Sequence, residues 1–134
     1  ILDSEQSNIF WSSTKNLEVF KSLKSNLLRI VLPMSETLQV IQKLKNFEIK
    51  YFIDWGGSLI WASFDQLNTK ILSEIKDIVK KHQGYITLIK VEEDLKASAD
   101  IFTIDPIKYK ISEKIKRSFD PKRIFNPGKM YTGI

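Results

Sequence analysis

Hydrophobic positions recur along the chain with two different periods, and the periods alternate. Leu27-Leu28-Arg29-Ile30-Val31-Leu32 is a run of β-formers closed by Pro33, which cannot continue a ladder, so it predicts a strand. Ser35 then reads as the cap of a helix whose apolar positions Leu38, Ile41 and Leu44 recur at helical spacing, followed by Phe47. Ile49 to Asp54 is a second strand, rich in aromatic and β-branched residues. Trp55-Gly56-Gly57 turns the chain into a third, Ser58 to Phe64. Leu67, Ile71, Ile75 and Ile78 mark one face of the next helix, which stops at Gly84, a residue suited to a left-handed cap. Tyr85 to Val91 is a fourth strand.

In order, the middle of the chain reads β-α-β-β-α-β. That predicts an α+β, ferredoxin-like core: a four-stranded antiparallel sheet over residues 25–91 with both helices on one face. The first 24 residues read as a polar helix anchored by Ile9, Phe10, Leu17 and Phe20. Asp105-Pro106 opens a last helix, because a capping carboxylate followed by proline is a strong start. Ile107, Ile111, Ile115 and Phe119 recur every four residues along it and predict a buried stripe, with Lys108, Lys110, Lys114, Lys116 and Arg117 on the remaining surface. Alternation in the third strand puts Leu59 and Trp61 on the face that the helices cannot reach. Tyr85, Thr87 and Ile89 alternate in the same way in the fourth. That face is too apolar to stay wet, so something is expected to cover it.

Composition narrows the classes. The 134 residues hold 43% hydrophobic and 28% charged side chains, which are globular values, and no apolar run approaches the roughly 20 residues of a membrane span. The chain has no cysteine, so disulfides, iron–sulfur clusters and thiol catalysis are excluded within it. Lys and Arg exceed Asp and Glu by 21 to 16, but 18 of the 21 cations are lysine and the chain carries 19 isoleucines against three alanines. That skew reads as a codon bias rather than a phosphate-binding surface. The chain opens on Ile1, and we expect it to be a piece of a longer protein.

Most catalytic chemistries find no constellation here. His82 is the only histidine and closes a helix stripe, where packing explains it. Gly56-Gly57 lacks the glycine pattern and lysine of a phosphate loop. Glu92-Glu93-Asp94 reads as a solvated loop or a short helix cap. An RNA-recognition module shares the split βαβ layout, but it needs stacking aromatics on its first and third strands, and the first strand here offers Arg29 among aliphatics.

Two stretches are more specific. Phe119-Asp120-Pro121-Lys122-Arg123-Ile124-Phe125-Asn126-Pro127-Gly128-Lys129-Met130-Tyr131 resembles the closing motif of FAD-linked oxidases of the vanillyl-alcohol oxidase type. Asp54-Trp55-Gly56-Gly57 with Leu59 and Trp61, Leu28-Arg29-Ile30-Val31-Leu32-Pro33, and Gly84-Tyr85-Ile86-Thr87-Leu88-Ile89-Lys90 are similar to segments of the glycolate-oxidising members. Tyr85 stands where those members usually have histidine, and Lys90 and Lys129 where arginine is commoner.

The resemblance implies that residues 1–134 are the C-terminal, substrate-side cap domain of a longer flavoprotein subunit. That subunit would take part in oxidising glycolate, a small 2-hydroxy acid, to glyoxylate. FAD would be held mainly by an N-terminal domain absent from this sequence, and the fragment alone would be inactive. Its partners would be that FAD-binding domain, the other glycolate oxidase subunits and the substrate. Nucleic acid is not among them, and the isolated domain would self-associate through its uncapped sheet face. The setting would be bacterial and cytoplasmic, or peripheral to the inner membrane.

Five residues are candidates for contact with substrate or cofactor: Arg29, Trp55, Trp61, Asn126 and Lys129. A guanidinium at Arg29 suits a carboxylate, although an interdomain salt bridge would use it equally well. Trp55 and Trp61 would wall a pocket or pack an interface. Asn126 and Lys129 would approach a flavin if the tail folds back, and Asn126-Pro127-Gly128 is also a plain turn signal. No catalytic residue and no metal ligand is assigned. A ferredoxin-like regulatory module that binds a small molecule is the alternative function, and an RNA-binding module a further one.

Overall fold

The computed structural model describes residues 1–21, 26–98, 100–129 and 131. Its elements run α1 (Ser4–Lys15), β1 (Asn26–Val31), α2 (Thr37–Leu44), β2 (Ile49–Asp54), β3 (Leu59–Phe64), α3 (Thr69–Lys81), β4 (Tyr85–Lys90), α4 (Glu93–Ser98) and α5 (Pro106–Phe119). The four strands form one sheet in the order β2-β3-β1-β4, every pair antiparallel. This is the ferredoxin-like arrangement that the β-α-β-β-α-β reading predicts.

Alternation divides the sheet. Leu28, Ile30, Ile60, Ala62, Phe64, Ile86 and Leu88 face one way, where they share a buried cluster with Val40, Ile41 and Leu44 of α2 and Leu72, Ile75 and Val79 of α3. Both helices therefore lie on one face. The opposite face carries Leu27, Arg29, Phe52, Leu59, Trp61, Tyr85 and Thr87.

Several local expectations are corrected. The N-terminal helix ends at Lys15, because Leu17 adopts a left-handed φ of 53°. Ile9 and Phe10 are exposed rather than anchoring, and residues 22–24 lie outside the described part. Ser35 does not cap α2. It falls within a one-turn 3-10 segment, Met34–Glu36, and the helix starts at Thr37 with Val40, not Leu38, on its inner face.

At the end of α3 the left-handed residue is Gln83, with φ 58°, and not Gly84. Gln83 N–H reaches Lys80 O at 3.0 Å and Gly84 N–H reaches Val79 O at 2.9 Å, the paired bonds of a Schellman stop. Gly84 is required for closeness instead: a Cβ there would lie 2.7 Å from Val79 Cγ1, 2.9 Å from Leu32 Cβ and 3.0 Å from Val31 O.

The largest correction concerns α5. Its cap is as read, with Asp105 Oδ1 accepting Ile107 N–H at 2.8 Å. Its apolar stripe is not buried in this chain: Ile107, Ile111, Ile115 and Phe119 are 70, 53, 55 and 85% exposed. The side turned inward is the polar one, where Tyr109, Ser112, Glu113 and Lys116 are half-buried. Its ion pairs, Lys116 with Asp120 and Arg117 with Glu113, are each four residues apart along the chain, and Tyr109 meets the Tyr131 ring of the tail.

Candidate functional site

The second face of the sheet is the one surface where several candidate residues meet. Cross-strand register sets Phe52 opposite Trp61, Trp61 opposite Arg29 and Arg29 opposite Thr87. An isolated bridge adds Phe102 opposite Thr87. Directly opposed residues on an antiparallel pair share a face, so these five form one row straight across the sheet. Arg29 and Thr87 are its polar centre and aromatic rings close both ends.

Each end is built up further. Phe52 and Trp61 have ring centroids 6.4 Å apart, and Phe20 stacks on Phe52 at 5.7 Å with planes 15° apart. Phe20 is buried, so the segment after α1 covers this part of the face, and Leu59 beside it is only 2% exposed. The expectation that the whole face stands open is corrected to that extent. At the other end Tyr131 meets Phe102 and Tyr109 edge-on, each at 6.1 Å. The tail motif thus returns to the edge of the row.

Trp55 is placed by its turn. Trp55, Gly56 and Gly57 all have positive φ, at 52°, 61° and 109°. Two glycines make that affordable, since only Trp55 carries the steric penalty of a Cβ in the left-handed region. The turn is tied down by Asp54 Oδ1, which accepts Trp55 N–H at 2.7 Å, by Ser58 Oγ donating to Trp55 O at 2.9 Å, and by Thr37 Oγ1 donating to Gly57 O. The indole, 58% exposed, receives the Arg29 guanidinium over its ring, with Cζ 4.8 Å from the centroid. Such stacking contributes about 0.5–1 kcal/mol at an exposed site. The contact takes up none of the five N–H donors in a hydrogen bond to a carboxylate. Among the described residues no carboxylate pairs with Arg29.

The tail is organised by Asp120, which with Pro121 stops the last helix as the sequence predicts, but whose side-chain bonds the sequence does not announce. Its side chain is almost fully buried and accepts Ile124 N–H and Phe125 N–H, both at 2.9 Å, and Lys116 Nζ at 2.7 Å. Lys116 Nζ also donates to Phe125 O. The Lys116 hydrogen bond, aided by the two backbone donors, holds the Asp120 carboxyl down at about 2 against the opposing effect of burial. An open groove of about 470 Å³ lies between α5 and the tail, lined chiefly by Ile115, Phe119, Phe125 and Tyr131. Asn126, at φ 47°, and Gly128, at φ 68°, form the next turn, with Lys129 N–H donating to Asn126 O at 3.2 Å. Asn126 and Lys129 are both exposed. The geometry groups Arg29, Trp55 and Trp61 on the sheet and leaves Asn126 and Lys129 on the tail.

His82 is structural. Lys43 Nζ lies 2.8 Å from Nε2 and Glu36 Oε2 lies 2.6 Å from Nδ1, so the ring bridges the two ends of α2 from the end of α3. Among the described residues no group of His, Cys, Asp and Glu is arranged to hold a metal ion.

Comparison with known proteins gives the class first. Residues 102–130 match the family "FAD linked oxidases, C-terminal domain", so the tail carries the signature of that domain. The particular relative is "Glycolate oxidase subunit GlcE" of Escherichia coli (strain K12), to which the chain is 28% identical over 128 residues. That match covers 93% of this chain and 32% of the relative, so the chain spans about a third of the relative's length. No solved structure matches.

FAD is the cofactor of the matched family, and the described residues do not fit the task of cradling a dinucleotide. The adjacent glycines turn a hairpin instead of opening a helix, and a Cβ at Gly57 would meet Met34 Cγ at 2.8 Å, so the space that a phosphate loop leaves open is filled. Phe52, Thr87, Phe102 and Tyr131 belong to the site without being among the sequence candidates, and Phe102 and Tyr131 left the weaker signal. Only the pairing of the 101–103 segment with β4 brings them to the row, and no periodicity announces a single bridge.

Proposed function

We propose that this chain is the substrate-side cap domain of a flavoprotein subunit that takes part in oxidising glycolate to glyoxylate. FAD is held by an N-terminal domain that precedes it, and the other subunits of the oxidase assemble around it. The observation that carries the reading is Arg29: a half-buried guanidinium, oriented by Trp55, without a carboxylate partner among the described residues, in a face walled by aromatic rings. The match of the tail to the oxidase domain and the 28% identity to GlcE support it. In this reading Arg29 binds the substrate carboxylate through a two-pronged pair, while Trp55 and Trp61 exclude water. The flavin, when bound, supplies the hydride acceptor. Asn126 and Lys129 come to the cofactor side from the tail, and the chain by itself neither holds FAD nor turns over glycolate.

Lys129 provides the test, because it follows the Asn126–Gly128 turn and has a fixed exit, whereas Lys122 precedes the turn. In the full-length flavoprotein, Lys129→Ala should lower glycolate oxidation or flavin content about ten- to hundredfold, the loss of one charge-assisted bond, and Lys122→Ala should change neither. Equal behaviour of the two lysines would reduce the tail to a structural turn. A full-length protein without flavin and without glycolate turnover would end the reading itself.

A further inference from the structure

Thr87 is the other polar member of the row. It is half-buried, directly opposite Arg29 on β4, with the two Cβ atoms about 4.5–5.5 Å apart as cross-strand partners are. Its far neighbour is Phe102, and beyond Arg29 stand Trp61 and Phe52. The hydroxyl makes no hydrogen bond to any described residue. Ser63, on the same face of β3, is buried and engaged, so an unengaged hydroxyl is a property of this position and not of every small polar residue on the face. A donor and acceptor thus stands beside an uncommitted guanidinium, and rings bound the pair on both sides.

We infer that Thr87 determines specificity at this site: its hydroxyl hydrogen-bonds the 2-oxygen of a small 2-hydroxy acid whose carboxylate Arg29 holds. The ligand class rests on the cap-domain reading above. The chemistry is complementary. A guanidinium that lies over Trp55 and pairs with no carboxylate among the described residues has donors for a ligand carboxylate, and that contact alone cannot tell glycolate from acetate. A hydroxyl can both donate and accept, so Thr87 can engage the 2-hydroxyl of the acid and equally the 2-oxo group of its product. The competing account makes Thr87 an ordinary β-former, chosen because its branched side chain fits a strand. In that case valine, which has the same shape, would replace it without effect.

The experiment titrates this chain with glycolate and with acetate and follows the fluorescence of Trp55 and Trp61 in a Trp11→Phe background, since the third tryptophan is exposed on α1. The unaltered chain should bind glycolate about five- to tenfold more tightly than acetate, the effect of one hydrogen bond. Thr87→Val should erase that preference while leaving acetate binding unchanged. Thr87→Ser should restore it, and Arg29→Lys should weaken both ligands about tenfold. A Thr87→Val variant that keeps the preference would overturn the inference, as would an unaltered chain that gives no saturable response to glycolate. Failure of the full-length protein to oxidise glycolate is a different result. It would contradict the cap-domain reading and leave the preference measured on this chain standing.

Discussion

Gln83 and Gly84 show how close the sequence comes to the backbone at the level of one residue. A glycine after a helical stripe signals a left-handed cap, and a Schellman stop is indeed formed, but displaced by one position. Gln83 takes the left-handed conformation, and Gly84 is where the strand after it crowds Val79, Leu32 and Val31. Two substitutions separate the roles. Gln83→Gly should stabilise the chain by about 1 kcal/mol, since it relieves a side chain held in the left-handed region. Gly84→Ala should destabilise it by about 1–3 kcal/mol through overpacking. Chemical denaturation of both variants measures the two signs, and the reverse order would return the cap to Gly84. The distinction was not legible beforehand, because both demands select glycine and only tertiary contact says which one applies. Arg29 was legible as a candidate, being the one charge in an aliphatic strand. Its partner Thr87 was not, because a threonine in a strand has an ordinary explanation.

At the level of elements, strand and helix types were readable because periods of two and near four differ clearly over six to thirteen residues. Which face of a helix is buried was readable only where the helix packs on the sheet. In α3 the stripe lies on the core side, with Ile75 buried and Ile71 and Ile78 half-buried beside it, although Leu72 and Val79, which the stripe leaves out, are the other buried members. In α5 the stripe is exposed and the half-buried side carries the Lys116–Asp120 pair. The Lys116 bond keeps the Asp120 carboxyl near 2, below its ordinary 3.8. Because the folded value is the lower one, the stability from this pair is present in full above about pH 4 and is lost as pH falls toward 2. Asp120→Asn should therefore lower the melting temperature at about pH 5, and the gap from the unaltered chain should close between about pH 4 and pH 2. A gap that persists unchanged across that window would show that Asp120 acts through its backbone bonds alone.

At the scale of the whole molecule the chain has a finished core and an unfinished surface. Ile107, Ile111, Ile115 and Phe119 on α5 join Ile124 and Phe125 of the tail as exposed apolar side chains. Water tolerates a patch of this kind poorly, so the chain alone should form concentration-dependent dimers through α5, and Ile111→Lys with Ile115→Lys should restore the monomer in sedimentation. Monomer at every concentration would contradict this. The sheet face around Leu59 and Trp61, which alternation alone nominates for self-association, is the weaker candidate because Leu59 is buried and Phe20 covers Phe52. No helix among the described residues is long and apolar enough to cross a membrane. The second face of the sheet gathers Arg29, Thr87 and aromatic rings, and the tail, whose residues up to 130 match the FAD-linked oxidase C-terminal domain, meets the edge of that row through Tyr131 while Asn126 and Lys129 stay on the tail. Steady-state glycolate oxidation by the full-length protein carrying Arg29→Gln tests the proposed cap-domain function most directly. If Arg29 binds the substrate carboxylate as proposed, KM for glycolate should rise about ten- to hundredfold, corresponding to about 1.5–3 kcal/mol, while the flavin content stays unchanged. An unchanged KM, or a loss of flavin in place of substrate binding, would contradict it.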